Sequence, residues 1–188
     1  MTGDRTYPDE PAGPFQAPPR EFVDSENRTI EIRSIANCDP SIKSALVDMY
    51  DAFDPADRAQ GIPPVTREDI VAWIDVILEQ GIDVVAFHSQ VPVGHATLVP
   101  DGHGAFELAI FVDRAFRGVG IGSALVQSLL GAAGVKGIEF VWLTVERWNT
   151  VAIRLYESVG FERTAGGNFE LEMSIRLAPH TDSTGCDA

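Results

Sequence analysis

Thr29-Ile30-Glu31-Ile32-Arg33-Ser34-Ile35 alternates polar and apolar residues, the period of a half-buried strand. Ile42, Ala45, Leu46, Met49, Tyr50 and Phe53 then recur at helical spacing, behind Asp39 as N-cap and Pro40 at the first helical position. Gly61, Pro63 and Pro64 break a loop that begins at Asp54. Thr66-Arg67-Glu68-Asp69 opens a second helix with Ile70, Trp73, Ile74, Ile77 and Leu78 on one face, and Gly81 ends it. Ile82 to His88 and Val93 to Val99 read as strands joined by a turn. Ala105 to Val112 is apolar on both faces apart from Glu107, the pattern of a central strand covered on both sides. A third helix runs from Gly120 to about Gly134, and Ile138 to Val145 forms a strand that should pair in parallel with the preceding one. Asn149 caps a fourth helix that Gly160 closes, and Phe161–Thr164 and Asn168–Leu177 supply the last strands.

Residues 1–28 are rich in Pro, Gly, Asp and Glu and show no apolar period, so they read as a disordered arm; residues 178–188 read as a polar tail. The folded domain is then 29–177. The longest apolar runs are about eight residues, too short to span a bilayer, and no signal-peptide pattern opens the chain. Cys38 and Cys186 make no disulfide framework, which fits a cytoplasmic protein.

The net charge is −14, with 28 acidic residues against 14 basic ones. Such a surface repels nucleic acid and acidic membranes and favours a cationic partner. Scarce lysine beside abundant Asp and Glu resembles the composition of halophilic proteins, in which salt screens the self-repulsion. The four histidines show no metal-ligand spacing, and no Ser/His/Asp or Cys/His set is recognisable, so no metal is expected.

Between the central strand and the third helix lies Asp113-Arg114-Ala115-Phe116-Arg117-Gly118-Val119-Gly120-Ile121-Gly122-Ser123. Its glycines leave backbone N–H groups uncovered, and the helix N-terminus adds partial positive charge, together a cradle for a phosphate or pyrophosphate. A dinucleotide fingerprint would need glycine at Ser123, and a Walker loop would need a lysine that is absent. On the residues alone, the segment can also be a glycine cap with no ligand. Glu107 lies six strand steps before Asp113, about 20 Å at about 3.3 Å per residue. Its apolar flanks should raise its pKa, as a general base near neutral pH requires. A strand-end carboxylate or a structural ion pair is the alternative.

The pattern Arg117-x-x-Gly120-x-Gly122, followed by Asn149-x-x-Ala152-x-x-Leu155-Tyr156-x-x-x-Gly160-Phe161, resembles the two signature motifs of the GCN5-related N-acetyltransferase (GNAT) superfamily, over about residues 29–177. The resemblance implies an α/β chain of α+β arrangement: a central mixed, mostly antiparallel sheet of about seven strands with a splayed parallel pair, and about four helices. It implies that acetyl-CoA binds as co-substrate along Ile110, Phe111, Val112, Arg117, Gly118, Val119, Gly120, Ile121, Gly122 and Ser123, with Asn149 on the pantetheine arm. It implies Glu107 as base and Tyr156 as proton donor to the departing thiolate, and an acceptor wall near Tyr50, Phe53, Asp54, Asp57, Arg58 and Gln60. The Asn149 motif reads most like ribosomal-protein N-terminal acetyltransferases. Those carry a glutamate base five residues before that asparagine, where this chain has Thr144. The implied acceptor is a primary amine, first a protein lysine; a small amine is the alternative, and a non-catalytic acyl-CoA sensor is the reading from another class. A homodimer is a further expectation from the family.

Overall fold

A computed structural model describes residues 5–35, 39–54 and 63–179. Its strands are β1 (Arg20–Val23), β2 (Thr29–Ile35), β3 (Ile82–His88), β4 (Val91–Pro100), β5 (Phe106–Val112), β6 (Phe140–Glu146), β7 (Glu162–Gly166) and β8 (Glu170–Arg176). The helices are α1 (Pro40–Asp51), α2 (Arg67–Gln80), α3 (Ile121–Val135) and α4 (Thr150–Val159). They form one sheet in the order β1-β2-β3-β4-β5-β6-β8-β7, antiparallel throughout except for β5 beside β6. The sheet has eight strands where about seven are expected, because β1 comes from the N-terminal arm.

Local chemistry sets the helix ends as the sequence predicts. Asp39 accepts the Ser41 N–H, and Thr66 accepts the Asp69 N–H. Asn149 accepts the Ala152 N–H, and Gly160 closes α4 at φ 109°, a left-handed value that favours glycine. The β3–β4 turn is tighter than expected: Ser89 and Gln90 both hold positive φ, which lets β4 begin at Val91.

Two apolar layers flank the sheet. On one face α3 and α4 bury Leu125, Leu129, Ile153 and Val159 against Val84, Ala96, Leu108, Leu143 and Met173. On the other, α1 and α2 bury Leu46, Tyr50, Ile70 and Ile74 against Val85 and Phe87. Inside this second layer, Tyr50, His95 and Asp83 form a buried chain. Tyr50 Oη lies 2.7 Å from His95 Nδ1, and His95 Nε2 lies 2.9 Å from Asp83 Oδ1. With its proton on Nε2, the imidazole donates to the carboxylate and accepts from the phenol.

Residues 5–23, expected to belong to a disordered arm, form a strap along the fold. Tyr7 packs on Phe140 with ring centroids 4.7 Å apart, and Ser174 Oγ donates to the Thr6 carbonyl at 2.9 Å. Ala12 bridges Leu177 through backbone hydrogen bonds, Gln16 and Ala17 cross α3 against Gly131, and Arg20–Val23 pairs with β2. Backbone pairing and the absence of a side chain at Gly131 order this stretch, not an apolar period.

Candidate active site

The site grows from a break in the sheet. β5 and β6 pair over two rungs, Phe106–Val141 and Glu107–Trp142. β5 then continues against β4 as far as the Gly94–Val112 rung, and β6 continues against β8 as far as Glu146–Glu170. The facing edges of Leu108–Val112 and Leu143–Glu146 have parted, which exposes backbone N–H and C=O groups within the sheet. The sequence predicts a β5 covered on both faces; only Leu108 is fully buried, because its parallel neighbour has left it.

At the end of β5, Asp113 accepts the Ala115 N–H and starts a 3-10 turn over Arg114–Phe116. Gly118 and Gly120 follow at φ 76° and 97°, where side chains are strained, and the space a Cβ would occupy is open at both. Gly120 caps α3, and helical bonding begins with the Ala124 N–H on the Gly120 carbonyl at 3.1 Å. The N–H groups of Ile121, Gly122 and Ser123 belong to the first turn and have no intrahelical acceptor. Arg117 is held by a hydrogen bond from its Nε to the Val112 carbonyl at 2.9 Å. At Gly122 a Cβ would stand 2.8 Å from Leu155 Cδ1, so the missing side chain lets α3 lie close to α4 while the Gly122 N–H stays in the first turn. The loop thus combines positive-φ glycines, free donors and an arginine, which fits a pyrophosphate.

Glu107, Ala109 and Phe111 share the α1/α2 side of the sheet, and Phe111 closes an aromatic cluster with Tyr50, Phe53 and Trp73. Glu107 is exposed, in contrast to the expected burial within an apolar strand. Protein around the carboxyl still removes enough water to raise its pKa; the Arg5 cation opposes that shift and Asp101 adds to it. Beside it, Trp142 Nε1 donates to Asp101 Oδ2 at 3.2 Å. These neighbours of Glu107 carry no motif in the sequence, because Arg5 and Asp101 reach the site only through the fold. The polar residues of the buried chain did carry a signal: Asp83 and His95 interrupt apolar runs.

Across the break, Asn149 uses its side-chain oxygen to cap α4, leaving its amide nitrogen as the donor a ligand can use. Tyr156, seven residues on, is 7% exposed and packs against Phe161. Burial pushes its phenol well above the ordinary value. Thr144 lies on the same face of β6 as Trp142. Of the expected acceptor wall, Tyr50 and Phe53 are buried; Asp57, Arg58 and Gln60 lie outside the described residues. Among the described residues no cluster of three or more His, Cys, Asp or Glu could hold a metal, and no helix is long and apolar enough to cross a membrane. Cavities of about 480 and 450 Å³ open at His88 and at Glu139; the first adjoins the 3-10 turn, since Arg28 on its lining donates to the Ala115 carbonyl at 3.2 Å.

A parted parallel pair that leads into a glycine cradle defines the architecture of a GNAT acyltransferase. The chain belongs to the Acetyltransferase (GNAT) family, whose sequence profile matches residues 45–161. A mycothiol acetyltransferase of Thermobispora bispora is 46% identical over 116 residues, 60% of this chain and 39% of that protein. A [ribosomal protein bS18]-alanine N-acetyltransferase of Escherichia coli is 34% identical over 99 residues, 52% of this chain and 61% of the relative. The chain thus spans less than two thirds of the length of these curated relatives. The fold matches the GNAT domain of S. lividans PAT with a TM-score of 0.69 at 17% identity, over 84% of this chain and 96% of that one. It also matches the ribosomal-protein-alanine N-acetyltransferase of Brucella melitensis at TM-score 0.64 and 24% identity, over 78% and 99% of the two chains.

Proposed function

We propose that this protein is an N-acetyltransferase that uses acetyl-CoA to acetylate a primary amine by direct attack. The observation that carries the reading is the two-rung contact of β5 and β6, with the glycine loop at the end of the diverging strand. The pyrophosphate fits the N–H groups of Gly118 to Ser123 with Arg117 at the rim. Backbone groups of Ile110, Phe111 and Val112 line the path of the pantetheine arm, and Asn149 supports it from the far side.

Acetyl-CoA supplies an activated thioester carbonyl. Glu107, directly or through water, takes a proton from the acceptor ammonium, whose ordinary pKa is about 10.4 if it is a lysine. The neutral amine nitrogen bonds to the carbonyl carbon, and a backbone N–H of β5 stabilises the oxygen. The carbonyl re-forms as the carbon–sulfur bond breaks and sulfur leaves with the electron pair; the nitrogen gives up its second proton, which the thiolate takes up directly or through water, so that the products are the amide and CoA thiol. Tyr156 donates a hydrogen bond to that sulfur. Full proton transfer from a phenol of raised pKa to a thiolate of ordinary pKa about 8.5 would run uphill, so Tyr156 stabilises the leaving group rather than delivering its proton outright.

The open position of Glu107, with acidic neighbours, supports an amine carried on a larger molecule, with a protein lysine as first choice. Thr144 stands where the ribosomal-protein enzymes' motif has glutamate, which makes an α-amino acceptor of that type the weaker match. The similarity to a mycothiol acetyltransferase supports a small amine as the second reading. The test is release of free CoA from acetyl-CoA with lysine peptides and a panel of small amines, at low and high potassium chloride. Release with an amine sustains the reading; tight CoA binding with no release on any amine would leave an acyl-CoA sensor.

A further inference from the structure

On the Glu107 face of the sheet, the chain holds one of its own cations in a cage. The Arg5 guanidinium carbon lies 3.4 Å from the centroid of the Trp142 ring. Arg5 Nε pairs with Glu172 Oε2 at 3.1 Å, and Nη1 pairs with Asp101 Oδ2 at 3.4 Å. The two carboxylates are 19% and 8% exposed, so the pairing is partly withdrawn from solvent. Tyr7 Oη is enclosed nearby with no hydrogen-bond partner, and the charges of Arg5, Asp101 and Glu172 all act on it. An aromatic face, two carboxylates and an unmet phenolic hydroxyl make a receptor for a planar or compact cation.

The cage adjoins the proposed base. Trp142 pairs with Glu107 across the last common rung of β5 and β6. The residues after Arg5 are anchored independently of it: Thr6 by Ser174, Tyr7 by Phe140, and Asp9 by Arg176. Arg5 can therefore leave the cage while the strap stays in place.

We propose that the Trp142–Asp101–Glu172 cage binds a second cationic group of the acceptor amine, and that Arg5 occupies it as an internal stand-in that the acceptor displaces. The proposal rests on the Glu107 side being the acceptor side. The acceptor is then a primary amine with a guanidinium or second ammonium a few bonds away. The cage favours doubly charged amines over simple ones, and competition from Arg5 raises the concentration of the doubly charged acceptor needed and so narrows that preference.

The test compares agmatine, a primary amine with a guanidinium, with n-butylamine, which lacks the second cation. Compared on the alkaline plateau, above the pH range in which Glu107 titrates, Arg5→Ala should raise kcat/KM for agmatine about tenfold through KM and leave n-butylamine unchanged. Arg5→Lys, which keeps the cation, should stay near wild type. Adding Glu172→Gln to Arg5→Ala should remove most of the gain. Spermidine and a short Arg-Lys peptide amide, run alongside, tell a free polyamine from a basic peptide by which one shows the gain. Equal changes for agmatine and n-butylamine, or none, would overturn the proposal. Binding is read separately from turnover: agmatine should quench tryptophan fluorescence in Arg5→Ala but not in Arg5→Ala/Trp142→Phe. If no amine is acetylated, the transferase reading falls and the quench alone decides the cage: its presence sustains cation binding, and its absence overturns it.

Discussion

Glu107 and Trp142 face each other on the last rung that β5 and β6 share before the strands part. The base of the proposed reaction thus sits at the closed end of the gap, with the glycine loop at the open end of the same strand. The Glu107→Gln variant keeps the shape and removes the base. Its kcat should fall 10²-fold or more, the usual scale of general-base loss, with unchanged CoA affinity by calorimetry. Weakened CoA binding in this variant would make Glu107 structural.

Acid dependence follows from the same carboxyl. Burial raises its pKa and the Arg5 cation holds that rise in check. A base works when deprotonated, so activity climbs as pH passes through its pKa. Removing Arg5 takes away the lowering influence, and the acid limb of kcat/KM for a simple amine should move to higher pH. A limb that stays put, or moves to lower pH, would separate Arg5 from Glu107.

Gly120 stands at φ 97° with open space where a side chain would project. Gly120→Glu would place bulk and negative charge in the cradle, and CoA binding should be abolished. Gly120→Ala adds left-handed strain of about 1 kcal/mol without the charge, and separates the two effects. Unaltered CoA affinity in the glutamate variant would refute the cradle.

The buried Tyr50–His95–Asp83 chain predicts a stability effect distant from the loop. Tyr50→Phe keeps the ring and leaves His95 Nδ1 buried without its 2.7 Å partner. The expected cost is about 1–3 kcal/mol in urea unfolding. Burial, with the nearby Asp83 charge adding to it, holds the Tyr50 phenol well above its ordinary pKa, so the phenol keeps its proton across the neutral range.

Motifs read well from the sequence where chemistry is local. Asp39, Thr66 and Asn149 cap the helices they are expected to cap, and the loop at Gly118–Ser123 follows a strand and opens a helix. Long-range consequences were not legible. Nothing in the β5 pattern says that β6 will depart after two rungs, so Glu107 reads as buried when it is exposed. The strap is invisible for a different reason. Its order comes from scattered contacts, such as Tyr7 on Phe140 and backbone bonds at Ala12, which no hydrophobic period encodes.

A sheet that opens in its middle has two raw margins, each able to accept another strand. On the proposed reading, the pantetheine arm fills that place, so the nucleotide acts as a removable piece of secondary structure. Occupancy then becomes a form of thermodynamic support: at a hundredfold excess over the dissociation constant, a ligand that binds only the folded chain adds about 2.7 kcal/mol. Resistance to proteolysis should rise and fall with the supply of acetyl-CoA, so a cell short of the acetyl donor would lose the enzyme as well as its activity.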